Sequence, residues 1–224
     1  EYNQGRPVFL QINNACFVVT LFLDIGFCCN IAVLRQERFL EKLCIYSILK
    51  LKKELEFMTR EEFLDNYWYF YLILEGRFMN TVRYVELCEN NYRTHSMEFV
   101  SLLREIGSEL DVIMKVLCEF DLSERKNIAD YARILLVRFP EIKEQKIVGK
   151  RITIQPYKDW TSENASASLE WWQAYNDIKP GRVLNYEKAN LKNVFYSLGA
   201  LFILENYLLM KIAREHSDID IPDK

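Results

Sequence analysis

Side chains whose types and spacing could support chemistry gather in two stretches of this 224-residue chain. In REIGSELDVIMK, Glu109 lies at the margin of an apolar helical face, where a carboxylate needs either a cleft or a basic partner, and Asp111 points away from that face. In WWQAYNDIKPGR, residues 171 to 182, Asn176, Lys179 and Arg182 recur every three residues and would share one side of a continued helix. Pro180 opposes that continuation. Glu109, Asp111, Asn176, Lys179 and Arg182 together make a candidate polar cleft, with cations suited to phosphate and carboxylates suited to proton transfer or ion pairing. Trp171, Trp172 and Tyr175 are candidate aromatic contacts for a stacked base. Each also has a plainer reading: Glu109 paired with Lys179 or Arg182 orients two helices, the tryptophans anchor a core, and Asn176 and Asn185 are caps.

Other chemistries find little support. There is no GxGxxG or GxxxxGK[ST] loop, no HExxH and no GxSxG, and two histidines, His95 and His216, are too few for the usual histidine-centred sites. The six cysteines form no CxxC pair, and no paired-histidine spacing accompanies them, so neither a zinc site nor a disulfide scaffold is expected. No metal and no cofactor are expected, and a reduced cytoplasmic setting is the simpler one. A net charge of -3 from 29 basic and 32 acidic residues, intermixed, gives no broad nucleic-acid footprint.

The elements that must position these residues are helical. Seven glycines and five prolines leave little for the tight turns of an all-β fold, so an all-α helical bundle is expected. Residues 15 to 34 are apolar except for Thr20, Asp24, Gly26 and Asn30, which fall on one side of a helical wheel; a buried core helix is preferred to a membrane span. A second helical run carries Phe39, Leu43 and Leu49. Thr59 and Glu62 form a capping box, opening a helix at residue 60 that runs to about Cys88. The next helix, 97 to 119, has the cleanest period, through Phe99, Leu102, Leu103, Ile106, Leu110, Ile113 and Leu117. Ser123 is expected to open another, which Pro140 follows, and residues 146 to 157 suggest a short hairpin or extended insertion. Ser168 is expected to cap a short helix that the Lys179-Pro180-Gly181 turn ends, and Asn185 to cap a long final helix, about 186 to 213. This divides the chain into a hydrophobic N-terminal helical extension (1–57), a helical domain (58–215) and a polar tail (216–224).

At WWQAYNDIKPGRVLNYEKANLKNVFYSLGALFILENYL the sequence resembles a group of uncharacterised bacterial helical proteins of the HEPN-like superfamily, in which WWxxYNxxKHxR precedes ANLxNVLxALAALFxLxxYL. The upstream stretch YFYLILEGRFMNTVRYVELCENNYRTHSMEFVSLLREIGSELDVIMKVLCEF looks like the same group's first helical pair, including an SExD element at Ser108, Glu109 and Asp111. The resemblance covers about Met58 to Leu208. It implies a helical bundle of a kind that often dimerises, and metal-independent ribonuclease activity in those members that are catalytic, found in toxin-antitoxin and phage-defence systems. There an Arg-x(4-6)-His motif transfers protons and stabilises phosphate during attack of a ribose 2′-hydroxyl.

Neither histidine of this chain has an arginine at that spacing, and Pro180 stands where the group's KHxR has its histidine. Proline has no titratable group and no amide donor, so it replaces the imidazole in no acid, base or donor role. Arg182, Lys179, Asn176, Glu109 and Asp111 stand at matched positions. The expectation is therefore a non-catalytic or weakly catalytic module that binds RNA, a nucleotide or a protein such as an antitoxin, with a homodimer as one expected assembly and no membrane partner. The alternatives are a metal-independent endoribonuclease that manages without the histidine, and a membrane-attached structural or signalling protein using residues 15 to 34.

Overall fold

The computed structural model describes residues 58–149 and 152–215. The expectations for the N-terminal extension, its two helical runs and the polar tail lie outside the described residues. What is described is helical, with one very small sheet.

The chain enters through the expected capping box: Glu62 N donates to Thr59 Oγ1 at 3.1 Å and Thr59 N to Glu62 Oε2 at 2.8 Å. Helix α1 (Arg60–Phe63) passes through a π-helical turn (Leu64–Trp68) into α2 (Tyr69–Val82), burying Phe63, Tyr71, Leu74 and Phe78. It stops six residues before the expected Cys88. Thr81 closes it, its hydroxyl donating to the Phe78 carbonyl at 2.6 Å and its own carbonyl collecting the amides of Tyr84 and Val85.

Helix α3 (Met97–Cys118) is the central element, and its bounds match the periodicity. Ser96 Oγ accepts from Phe99 N at 3.1 Å, and the helix ends at Glu119 in the left-handed conformation, with φ 60°. Helix α4 (Ile128–Arg138) begins later than the sequence suggested. Ser123 does not cap it, because Asp121 Oδ1 takes both the amide and the hydroxyl of Ser123 and folds that segment into a turn. The cap is Asn127, whose Oδ1 accepts from Ala129 N and Asp130 N. After Pro140 come a 3₁₀ turn (Pro140–Glu144) and the expected hairpin, β1 (Ile147–Val148) antiparallel to β2 (Thr153–Ile154), with Ile147 opposite Ile154.

Two further expectations are corrected in helix α5 (Glu170–Gly181). Leu169, not Ser168, occupies its cap position, while Ser168 Oγ is engaged with Thr161 N and the Ala165 carbonyl. Pro180 lies inside the last turn instead of ending the helix ahead of itself, where it withholds the amide that would otherwise bond the Asn176 carbonyl, and the helix stops one residue later at Gly181. Asn185 does not cap the final helix either. Its Nδ2 donates to the Asp177 and Gly181 carbonyls, both at 3.1 Å, and so closes the C-terminal end of α5. A 3₁₀ turn (Tyr186–Lys188) leads to α6 (Leu191–Glu215), capped by Asn190, whose Oδ1 accepts from Asn193 N at 3.0 Å.

Helix α6 packs most extensively on α3, and α5 and α2 pack against the same pair. By length and composition α6 could cross a membrane, yet Leu191, Val194, Leu198, Leu201, Leu204, Leu208 and Ile212 are buried within the bundle as core. Close approach is enforced by glycine in two places. A Cβ on Gly107 of α3 would lie 2.3 Å from the Tyr175 ring of α5, and one on Gly199 of α6 would lie 2.9 Å from Ile154 of the hairpin.

Candidate functional site

The residues expected to share a cleft are dispersed. Asp111 braces α3 against α4, accepting from the Tyr131 hydroxyl at 2.7 Å and pairing with Lys115 at 3.0 Å. Asn176, Lys179 and Arg182 are exposed on α5 and just beyond it, and Lys179 lies 4.7 Å from the centre of the Tyr175 ring. No ion pair joins Glu109 to Lys179 or Arg182 among the described residues. The aromatic trio is core: Trp171 is 2% exposed with its Nε1 donating to the Pro156 carbonyl at 3.1 Å, Trp172 stacks edge-on against it, and Tyr175 fills the space over Gly107. None of the three presents a free ring face of the kind base stacking needs.

Glu109 has a neighbour the sequence reading did not single out. Glu205 of α6 is 2% exposed, and its Oε2 has no hydrogen-bond partner. Burial, with the Glu109 carboxylate nearby, pushes the Glu205 carboxyl up to about 8, so at neutral pH it is mostly protonated. Burial also raises Glu109, and both acids add to the burial that raises the Tyr67 hydroxyl in the π-helical turn. A legible signal existed. Glu205 falls in the series Leu198, Leu201, Glu205, Leu208, Ile212, at the spacing of residues that share the buried face of a helix.

The site with the geometry to hold a ligand lies elsewhere, in an open polar cleft of about 490 Å³ at the N-terminal end of α6. One wall is α5, through Glu170, Gln173, Ala174 and Asp177, whose three-to-four spacing places them on one side of the helix. Asn176 and Lys179 lie away from that side. The opposite wall is the loop before α3, carrying Arg93 and His95, and the floor comes from Glu187, Lys188, Asn190 and Asn193. Backbone pairing joins that loop to the floor: Leu191 N donates to the Thr94 carbonyl at 2.8 Å, Lys192 N to the Tyr92 carbonyl at 3.2 Å, and His95 bridges to Asn190.

Those bonds have a chemical consequence. The first amides of α6 go to Thr94 and Tyr92, and the next two to Asn190, so the helix terminus has no free donors to offer an anion. Affinity in the cleft must come from side chains. Asp177 pairs with Lys188 at 2.7 Å, and Glu170 with Lys192. Arg93 is exposed and has no ion-pair partner among the described residues. His95 lies with Nδ1 3.3 Å from the Arg93 carbonyl and its ring edge-on to Tyr186, which fixes the imidazole at the cleft mouth. The arrangement offers one uncommitted guanidinium, one oriented imidazole and the exposed amide of Gln173, because Asn190 and Asn193 spend their Nδ2 groups on the Glu187 and Lys188 carbonyls.

Sequence reasoning missed this site because its walls, Arg93–His95 and Glu170–Asp177, are about 80 residues apart in the chain. The spacing of Glu170, Gln173 and Asp177 was available, but only the docking of the Tyr92–His95 loop on α6 gives them an opposite side. Among the described residues no cluster of three or more His, Cys, Asp or Glu could hold a metal ion. No protein-family model, curated protein or solved structure matches the chain.

Proposed function

We propose that this chain is a HEPN-like helical module that binds rather than cleaves, in a bacterial defence or toxin-related setting, and that its ligand is a nucleotide or a short RNA end held in the cleft between α5 and the Arg93–His95 loop. The observation that carries this reading is the charge arrangement of the cleft. Both α5 carboxylates are neutralised by lysines while Arg93 stays uncommitted, leaving a forked donor for a phosphate beside the Gln173 amide, which suits a polar base or sugar, with Glu187 the one lining carboxylate that has no ion-pair partner among the described residues. The volume is within the range that encloses a small molecule. The binding patch thus moves from Lys179 and Arg182, where the resemblance would put it, to Arg93.

Titration calorimetry of the full chain with AMP, ATP and a short single-stranded RNA tests this. Binding by at least one of them, weakened roughly tenfold or more in Arg93→Ala and little changed in Arg182→Ala, is expected. Absence of binding by all three at millimolar concentration, or binding that depends on Arg182 and ignores Arg93, overturns it.

One observation favours the endoribonuclease alternative: His95 and Arg93 line one cleft, bringing together an imidazole for proton transfer and a guanidinium for the phosphate without the Arg-x(4-6)-His spacing. Incubation with mixed RNA separates the readings. Cleavage that disappears in both His95→Ala and Arg93→Ala makes the protein a nuclease and retires the binding-only reading.

A further inference from the structure

The outer face of α2 is largely apolar, with Asn80, next to Met79, its one polar residue, and none of the described residues covers it. Tyr69 is 64% exposed, Leu72 and Ile73 42% each and Met79 54%. With Gly76 they form a single stripe, since positions 69, 72, 73, 76 and 79 fall within about 120° of one another at about 100° per residue. Large apolar side chains repeated along one uncovered helical face mark an interaction surface, unlike apolar residues scattered singly.

Gly76 sets this face apart. Glycine inside a helix costs up to about 1 kcal/mol relative to alanine. Gly107 and Gly199 are explained by Tyr175 and Ile154 pressing on them, but a Cβ on Gly76 would meet nothing within 4 Å. Nothing in the described part of the chain requires a glycine there. A second backbone or a large side chain arriving from outside would.

The charges at the ends of the stripe identify the occupant. Asp65, in the π-helical turn, and Arg83, at the C-terminal cap of α2, are both exposed, and neither has an ion-pair partner among the described residues. Counted around the helix they lie on the same side as the stripe, one beyond each end, and the slightly wider π turn leaves Asp65 on that side. Such a face, acidic at one end and basic at the other, is complementary to itself when turned end for end. An antiparallel pair of α2 helices related by a two-fold axis at Leu74 sets Asp65 against the partner's Arg83, Tyr69 against the partner's Met79, and Leu72 against the partner's Gly76. Each large residue meets a smaller or more pliable one, and each charge meets its opposite.

We propose that a second copy of this chain docks on the outer face of α2, through an antiparallel α2–α2 contact in which Leu72 enters the space over Gly76 and Asp65 pairs with Arg83 across the two-fold axis. The contact is separate from the α5–α6 cleft and stands whether or not the cleft binds a nucleotide. One helix face per copy is at the small end of specific interfaces, so association that depends on concentration is expected.

Sedimentation velocity of the full chain over a wide concentration range tests the proposal, with circular dichroism confirming that each variant is folded. The wild type is expected to dimerise. Ile73→Asp, at a position exposed in the single copy, should weaken association about tenfold or more by placing like charges in the contact. Asp65→Arg and Arg83→Asp should each weaken it, and the double exchange D65R/R83D should restore it to within a few-fold of wild type, because only the antiparallel register pairs those positions with each other. A wild type that stays monomeric overturns the proposal, and so does a dimer indifferent to Ile73→Asp, which would associate through another surface or through residues 15 to 34. Loss in both single variants without recovery in the double exchange overturns the antiparallel contact.

Discussion

Two sets of carboxylates in this bundle show opposite solutions to the same electrostatic problem. On the cleft wall of α5, Glu170 and Asp177 each set an exposed side chain against a lysine, within reach of water as well as of the partner ion. Between α3 and α6, Glu205 is almost fully buried with another carboxyl as its neighbour and no hydrogen bond to Oε2. An ion there would be poorly solvated and repelled, so the proton is retained. The comparison teaches that a carboxylate's place on a helix, more than its type, decides whether it is available to a ligand. The cleft acids shape a field at the surface, while the interior acid links the bundle to pH.

The largest expected effect breaks or confirms the interior half of that comparison. Glu205 has an ordinary value of 4.5 and a folded value of about 8, so between these the folded state holds a proton that the unfolded chain releases. The sign follows directly. The contribution to stability is full below about 4.5, falls as pH rises, and is lost once pH passes about 8, at about 1.4 kcal/mol per unit and on the order of 4 kcal/mol in all. Urea unfolding of the wild type should therefore show a loss between mildly acidic and mildly alkaline pH that Glu205→Gln largely abolishes, with the variant the more stable protein on the alkaline side. A constant difference between wild type and variant across that range would mean that Glu205 ionises like a surface acid.

Much of the bundle was legible in sequence because its cues are local. The Thr59–Glu62 capping box, the period of α3 and the alternation around Gly149 depend on residues within a few positions of each other, and each forms where the sequence put it. The failures share a cause. Ser123, Ser168 and Asn185 all have side chains able to cap a helix, but in each case a competing acceptor or donor was within reach: Asp121, the Ala165 carbonyl and the end of α5. Local propensity names residues that can cap and is silent on which partner wins. The cleft was the least legible feature, because Arg93 and His95 gain meaning only when their loop supplies carbonyls to the first amides of α6. Tryptophans at 171 and 172 read more readily as core anchors than as a platform, and the buried bond from Trp171 Nε1 to the Pro156 carbonyl decides for the core.

A middle case sharpens the contrast. Asp111 is half-buried like Glu109, but it has what Glu109 lacks, a hydroxyl from Tyr131 and an ammonium from Lys115. Tyr131 is itself buried, with its hydroxyl held well above its ordinary range, first by burial and then by the bond to Asp111. Tyr131→Phe removes one of the two partners and the brace between α3 and α4, and should cost about 1–2 kcal/mol in chemical unfolding, with the fold retained. A loss much larger than this would mean that Lys115 alone does not keep Asp111 solvated, placing it with the interior acids.

The smallest effect belongs to the cleft. The Asp177–Lys188 pair is 40% and 44% exposed at its side chains, so water and salt screen it, and Lys188→Ala should change stability by less than about 1 kcal/mol. Its consequence should appear in binding instead, because removing the lysine frees Asp177 to act as an uncompensated anion beside Arg93. Nucleotide affinity is then expected to fall in Lys188→Ala, and to recover part of the loss when Asp177→Asn is added, with both changes shrinking at high salt. That pattern, small in unfolding and visible in titration, is the reverse of what Glu205→Gln should show. If Lys188→Ala instead destabilised the bundle as strongly as a change at Glu205 while leaving titration untouched, the cleft acids would be structural. The division between surface acids that serve a ligand and interior acids that serve the fold would then collapse.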